Sequence, residues 1–317
     1  MHYLITAITG LLVAFSSLLD ASESYLAMEA NSGRVLLAAN SEKKRPVASL
    51  NKIATAKVVL DWAGLSQTSL SSYVTIPQSV LSVEGGNPMG LRPGDRIQLR
   101  DALYSTLLGS DNIAAHALAD HVGRSVLARR RKTGDPQKAF VYEMNQLAKA
   151  LGMRRTRFST PHSLDRGYRK GYSTASDMAR LSVHVMRDVG FGFYVKQKTR
   201  SVTVTDPDGS KRSFEVKNTN SLIGELGVNG IKTGLTPASG QCIAVNAHRS
   251  PIVKKIDDTR SQIRKRDLVI VILGSHDRIG RAKQLITQAW PLYDQWVAEG
   301  YPVSPKAKEL LVVPQLR

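Results

Sequence analysis

The chain has 317 residues, 42% of them hydrophobic, enough for one large domain or two small ones around a buried core. With 44 Lys and Arg against 26 Asp and Glu it carries a formal charge of +18, which points to anionic surroundings. The basic clusters Arg129 to Lys132, Arg154 to Arg157 and Arg264 to Arg266 lack the interleaved aromatics or zinc-ligand spacing of common nucleic-acid modules; they read as solvated faces, with no nucleic acid as partner.

The apolar run from Leu4 to Leu19 is shorter than the roughly 20 residues of a comfortable membrane span, and residues 1–21 read as a secretory signal. No Lys or Arg precedes Arg34, so the usual basic start of such a leader is missing, and a retained anchor or buried helix is the alternative. Next, "SYLAMEA" and "RVLLAAN" flank the turn Asn31-Ser32-Gly33, which predicts a β-hairpin. Beyond Pro46 the spacing of Ile53, Ala56, Val59 and Leu60 predicts a helix that opens near Ser49.

From Asp101 to about Met186 helical patterns dominate, punctuated by Gly, Pro and Asn or Asp. After Arg200 come strand-like runs, "RSVTVT", "KRSFEV", "CIAVNAH" and "DLVIVIL", and then a last helix from about Asp277 to Val297. Strands at both ends of a helical middle predict one sheet built from the N- and C-terminal portions, with a helical lobe over about 76–199 and a cleft between them. The polar, basic stretch 250–266 reads as an exposed hairpin extension, and residues 301–317 as a C-terminal tail after a domain spanning 22–300. The single cysteine, Cys242, forms no intramolecular disulfide and reads as a small core residue.

Three short motifs carry chemistry. Ser49-Leu50-Asn51-Lys52 places a hydroxyl and an amine three residues apart, on one face of a helix. A neutral lysine there is a base beside a nucleophile, provided burial and positive surroundings lower its pKa. Ser110-Asp111-Asn112 sits at the joint of two predicted helices, where Ser110 relays a proton and Asn112 holds an amide, or where Ser and Asn simply cap a helix. Lys-Thr-Gly occurs twice. Lys232-Thr233-Gly234 lies on or beside a predicted edge strand and suits a carboxylate, whereas Lys132-Thr133-Gly134 ends a charge run and reads as a solvated loop.

Each motif alone is weak; in this order, on a helix start, a helical joint and a strand, they are specific. The chain resembles the low-molecular-weight penicillin-binding proteins of the serine D-alanyl-D-alanine carboxypeptidase family. The likeness extends over roughly Tyr25 to Val297 and includes "MGLRPGDRIQLRDALYSTLLGSDNIAA", "LGMRRTRFSTPHSLD", "YSTASDMARL" and "NTNSLIGELGVNGIKTGLTPASGQC".

The resemblance implies an α/β domain of the α+β type, β-lactamase/DD-peptidase-like, with an antiparallel sheet flanked by helices plus an all-helical lobe. It implies Ser49 as the nucleophile toward the penultimate D-alanine of a peptidoglycan stem peptide, Lys52 as the base and Ser110 as the relay to the departing D-alanine. Asn112 would hold the substrate amide, and Lys232, Thr233 and Arg278 the terminal carboxylate. The backbone N–H groups of Ser49 and Leu235 would form the oxyanion hole. Penicillin and other β-lactams are implied as inhibitors, anionic cell-wall polymer as a further contact, no cofactor, and an exported, extracytoplasmic location.

Asn51 stands where the family usually has Thr. Asp111 is the residue of β-lactamases rather than carboxypeptidases, yet no glutamate occurs between Glu143 and Glu215, where a class A β-lactamase needs one. A DD-endopeptidase using the same residues and a noncatalytic peptidoglycan-binding or β-lactam-sensing module are the alternatives. A Ser-His-Asp hydrolase is disfavoured, because "GYSTA" lacks the last glycine of a nucleophile elbow. The histidines show no H-E-x-x-H or paired-Cys spacing, so no metal is expected.

Overall fold

The alternating runs at the two ends of the chain fold together as anticipated. A computed structural model describes residues 23–162, 170–302 and 309–316. The leader expected over 1–21 lies outside the described residues, as do 303–308 and 317 of the expected tail. Among the described residues no helix is long and apolar enough to cross a membrane.

Five antiparallel strands, β1 (Ser24–Glu29), β2 (Val35–Ala39), β7 (Val228–Thr236), β8 (Gly240–Lys255) and β9 (Ser261–Ser275), form the main sheet in the order β2-β1-β9-β8-β7. Because side chains alternate along a strand, each buried strand feeds two cores. Leu26, Met28, Ala244, Val269 and Val271 face one, and Ala27, Ile243, Val245, Ile270 and Ile272 the other. The second core is closed by the last helix, α7 (Arg278–Ala298), through Leu285, Ile286, Ala289, Trp290 and Tyr293.

On the first face lies α1 (Lys52–Ser66), whose residues from Lys52 to Val59 are all buried, as in a helix enclosed on every side. Around it stand α2 (Leu99–Leu107), α3 (Asn112–Arg129), α4 (Pro136–Ala150), α5 (Ala175–Met186) and α6 (Val189–Val195). Helix α5, although it falls in the span expected as a separate lobe, packs against β1, β8 and β9.

The lobe is not all helical. A second sheet, in the order β3-β4-β5-β6, joins β3 (Tyr73–Thr75), β4 (Arg96–Gln98), β5 (Thr199–Thr205) and β6 (Lys211–Lys217). The runs "RSVTVT" and "KRSFEV" are strands, but they pair with each other and with β4 rather than joining the main sheet. Strands of three residues such as β3 and β4 are too short to show a period of two, so the sequence gives no signal for the sheet they complete.

Within the expected tail, the Val35 N–H donates to the Glu309 carbonyl and the Leu311 N–H to the Gly33 carbonyl, both at 2.8–2.9 Å, and Arg34 pairs with Glu309. At the other end of the sheet β8 and β9 run on as a two-stranded arm, where Ile252 faces Arg264 and Val253 faces Ile263. This is the exposed extension expected over 250–266.

Candidate active site

A 3-10 turn, Ala48–Asn51, leads directly into α1, so Ser49 and Lys52 straddle the junction instead of both lying in one α-helix. Ala48 takes a left-handed φ of 48°, a costly conformation for a residue with a Cβ, immediately before the serine. Lys52 Nζ lies 2.9 Å from Ser49 Oγ, 2.7 Å from Asn112 Oδ1 and 3.2 Å from the His162 carbonyl oxygen. The lysine is fully buried, and that burial lowers its pKa to about 7 against the opposing pull of the Asp111 carboxylate.

Between α2 and α3 the chain turns at Ser110, again with a left-handed φ, here 59°. Asp111 then caps α3: its Oδ1 accepts from the Ile113 and Ala114 N–H groups at 2.8 and 3.0 Å, and its Oδ2 from Ser105 Oγ at 3.0 Å. The capping expected of Ser110 or Asn112 is thus done by the residue between them. Asn112 is free to present Oδ1 to Lys52, while its Nδ2 donates to the Glu84 carbonyl at 3.0 Å. Ser110 lines the cleft.

The third wall is β7, the edge strand of the main sheet. Lys232 is buried beneath it, with Nζ donating to the Thr233 carbonyl at 3.0 Å, and its pKa lies well below the ordinary lysine value through burial, then the Lys52 and Arg278 charges. Gly234 allows the strand to close on the serine turn: a Cβ there would sit 2.9 Å from Ala48 Cβ and 3.0 Å from Ser49 N. Leu235, one residue on, borders the same cleft as Ser49. Opposite Gly234 on β8 stands Cys242, a free and fully buried thiol.

Arg278 begins α7 and donates from Nη1 to the Gly234 carbonyl at 2.8 Å. One turn later Arg281 pairs with Glu23 at 2.7 Å and stacks over Tyr25, so only Arg278 borders the cleft. Lys132 is exposed in the loop after α3.

The cleft has a volume of about 290 Å³, and a second cavity of about 250 Å³ is bordered by Ala48, Asn51, Glu84, Arg157, Tyr172 and Thr236, the last of which lines the cleft too. Two cleft residues carried no assignment from sequence. Thr219 accepts from Thr233 Oγ1 at 2.6 Å, and His162 contributes its carbonyl to Lys52. The His162 ring stacks on His116 with centroids 6.0 Å apart, and burial, with the Lys52 and His116 charges, pushes its pKa down to about 3. A backbone acceptor leaves no mark in sequence; Thr219 stood within a recognised stretch but showed no spacing of its own. Among the described residues no three His, Cys, Asp or Glu side chains are grouped as metal ligands.

Known proteins resemble this chain in sequence and in fold. The sequence profile of the D-alanyl-D-alanine carboxypeptidase family matches residues 16–254. The chain is 29% identical over 283 residues to D-alanyl-D-alanine carboxypeptidase DacC of Escherichia coli, covering 86% of this chain but 62% of that longer relative. It is 32% identical over 228 residues to a D-alanyl-D-alanine carboxypeptidase of Streptomyces, covering 70% of this chain and 75% of the relative. The crystal structure of the Streptomyces K15 DD-transpeptidase superposes with a TM-score of 0.70 at 27% identity, covering 86% of this chain and 97% of that one. The chain belongs to the D-alanyl-D-alanine carboxypeptidase family of serine peptidases.

Proposed function

We propose that the protein is a serine D-Ala-D-Ala carboxypeptidase that removes the terminal D-alanine from peptidoglycan stem peptides. The observation that carries the reading is the buried Ser49–Lys52 pair. If Lys52 is neutral, its two N–H bonds satisfy Asn112 Oδ1 and the His162 carbonyl, and its lone pair is left for the Ser49 hydroxyl 2.9 Å away. Lys52 takes the proton as Ser49 Oγ attacks the penultimate D-alanine carbonyl. The C–N bond breaks, the D-alanine amine leaves with a proton passed through Ser110, and water hydrolyses the ester to restore Ser49.

The developing oxyanion sits between the Ser49 and Leu235 N–H groups, an arrangement favoured by the close approach at Gly234. Thr233 and Arg278 border the cleft where the terminal carboxylate is held, with Lys232 beneath them, and Asn112 lies where the substrate amide passes. The catalytic unit spans residues 22–300 of an exported protein, and its positive surface meets anionic wall polymer.

One relative favours a second reading. A Pseudomonas aeruginosa protein named D-alanyl-D-alanine endopeptidase is 32% identical over 236 residues, covering 73% of this chain and 69% of its own. Digestion of purified, cross-linked peptidoglycan followed by mass spectrometry separates the two. Release of single D-alanines supports the carboxypeptidase, conversion of dimers to monomers replaces it with the endopeptidase, and no product overturns both. Penicillin is expected to leave a long-lived adduct on Ser49, absent in Ser49→Ala.

A further inference from the structure

The distal part of the β8–β9 arm contributes to neither core. Between Arg249 and Arg266 it carries seven Lys and Arg against two Asp, Asp257 and Asp258, and both acids are paired within the arm, to Arg260 at 2.6 Å and Lys255 at 2.7 Å. Among the described residues Lys254 and Lys265 have no ion-pair partner.

A charged, solvated hairpin has no use for aliphatic side chains, yet this one shows three. Val253 is 60% exposed, Ile256 60% and Ile263 66%. Val253 and Ile263 are direct cross-strand partners and so share a face, and by alternation Lys255 and Lys265 share it too. The opposite face touches the body of the protein at Arg264. There the Arg264 guanidinium lies 3.4 Å from the centroid of the Tyr301 ring. At the root of the arm, Arg249 lies over Trp290 and pairs with Asp294 at 3.0 Å.

We propose that this arm docks on an anionic lipid surface, with Val253, Ile256 and Ile263 entering the interface and the surrounding lysines and arginines resting among the headgroups. Two features favour lipid over other anions. A polyanionic polymer rewards the cations and leaves the aliphatics in water, whereas a bilayer interface rewards both. A specific protein partner buries about 800 Å² on each side around a packed centre, and a narrow convex ribbon with three aliphatic residues offers no such centre.

The geometry has a corollary for the cleft. Strand β8 starts beside Arg278 and runs through Cys242, opposite Gly234, to Lys255. At about 3.3 Å per residue the end of β8 lies roughly 40–45 Å along the sheet from Gly234.

The test is sedimentation of the full chain with phosphatidylglycerol–phosphatidylcholine vesicles in equal parts, with pure phosphatidylcholine vesicles as the neutral arm. The double variants are Val253→Ser/Ile263→Ser and Lys255→Gln/Lys265→Gln, and none of these residues borders the cleft. Acylation of Ser49 by fluorescent penicillin reports that each variant is folded. The wild type is expected to bind the anionic vesicles and not the neutral ones. The glutamine pair should weaken binding by roughly fivefold per cation, and the serine pair by at least about tenfold with charge unchanged. Absence of vesicle binding, wild-type binding by the serine pair, or capture only by soluble polyglutamate would overturn the proposal, the last assigning the arm to an anionic polymer.

Discussion

Three oxygen atoms surround Lys52 Nζ, and none belongs to a carboxylate; Asp111, which lies nearby, spends its oxygens on backbone N–H groups and Ser105. This explains why burial prevails and the amine titrates at about 7. With the neutral form acting as the base in the proposed mechanism, acylation of Ser49 by penicillin should rise with pH through that value. The neutral fraction grows about tenfold between pH 6 and pH 8 for a pKa of 7. Stopped-flow acylation across this range checks it, and a flat profile would assign the proton to another acceptor. The paired lysines of the two Lys-Thr-Gly copies make a second test. Lys232→Ala removes a buried amine beside Lys52 and Arg278, and penicillin acylation and peptide turnover should both fall by at least about tenfold, the equivalent of one lost charged hydrogen bond. Lys132→Ala changes an exposed loop and should leave kinetics at the wild-type level. Equal effects would mean that the cleft is not built around β7.

At the level of elements, the site depends on how closely an edge strand approaches a turn. The Cβ that Gly234→Ala introduces meets Ala48 Cβ at 2.9 Å, Ser49 N at 3.0 Å and the Val47 carbonyl at 3.2 Å, two of them backbone atoms that yield only if the turn moves. Gly234→Ala should therefore retain the fold, checked by circular dichroism, while slowing Ser49 acylation by on the order of a hundredfold, the loss a small misplacement of reacting groups brings. Wild-type acylation in this variant would show that the turn is not held by β7. Long elements were legible in sequence because their periods repeat: the β1–β2 hairpin, α1, α4 and α7 all lie where alternation and helical spacing predict them. The second sheet was not, because β3 and β4 offer three residues each and β4 meets its other partner, β5, more than 90 residues along the chain. The capping of α3 was misassigned among three adjacent residues, each a good cap, and only the fold decides which side chain turns back to the backbone.

For the molecule as a whole, the motifs are scattered over more than 180 positions, from Ser49 to Lys232, and the two-core sheet brings them to one place. Their identity was readable because each motif needs a fixed local spacing. Their convergence came only from the family resemblance, since spacing along the chain says nothing of distance across it. The backbone acceptor at His162 and the left-handed Ala48 and Ser110 had no residue-type signal at all, since φ > 0 is normally announced by Gly or Asn.

The burial of Cys242 turns the protein into its own stopwatch. As the only thiol in the chain, placed across the ladder from Gly234 and packed in the core with Val47 and Leu50, it meets a thiol reagent only when that part of the core opens. Its labelling rate therefore counts openings of the core beside β7 and the Ser49 turn without any introduced probe. A β-lactam covalently seated on Ser49 and held against β7 should lengthen the interval between openings, so labelling of the acylated protein is expected to be slower than that of the free one. Immediate labelling of the free protein, or equal rates in the two states, would show that the strand moves independently of what the serine carries.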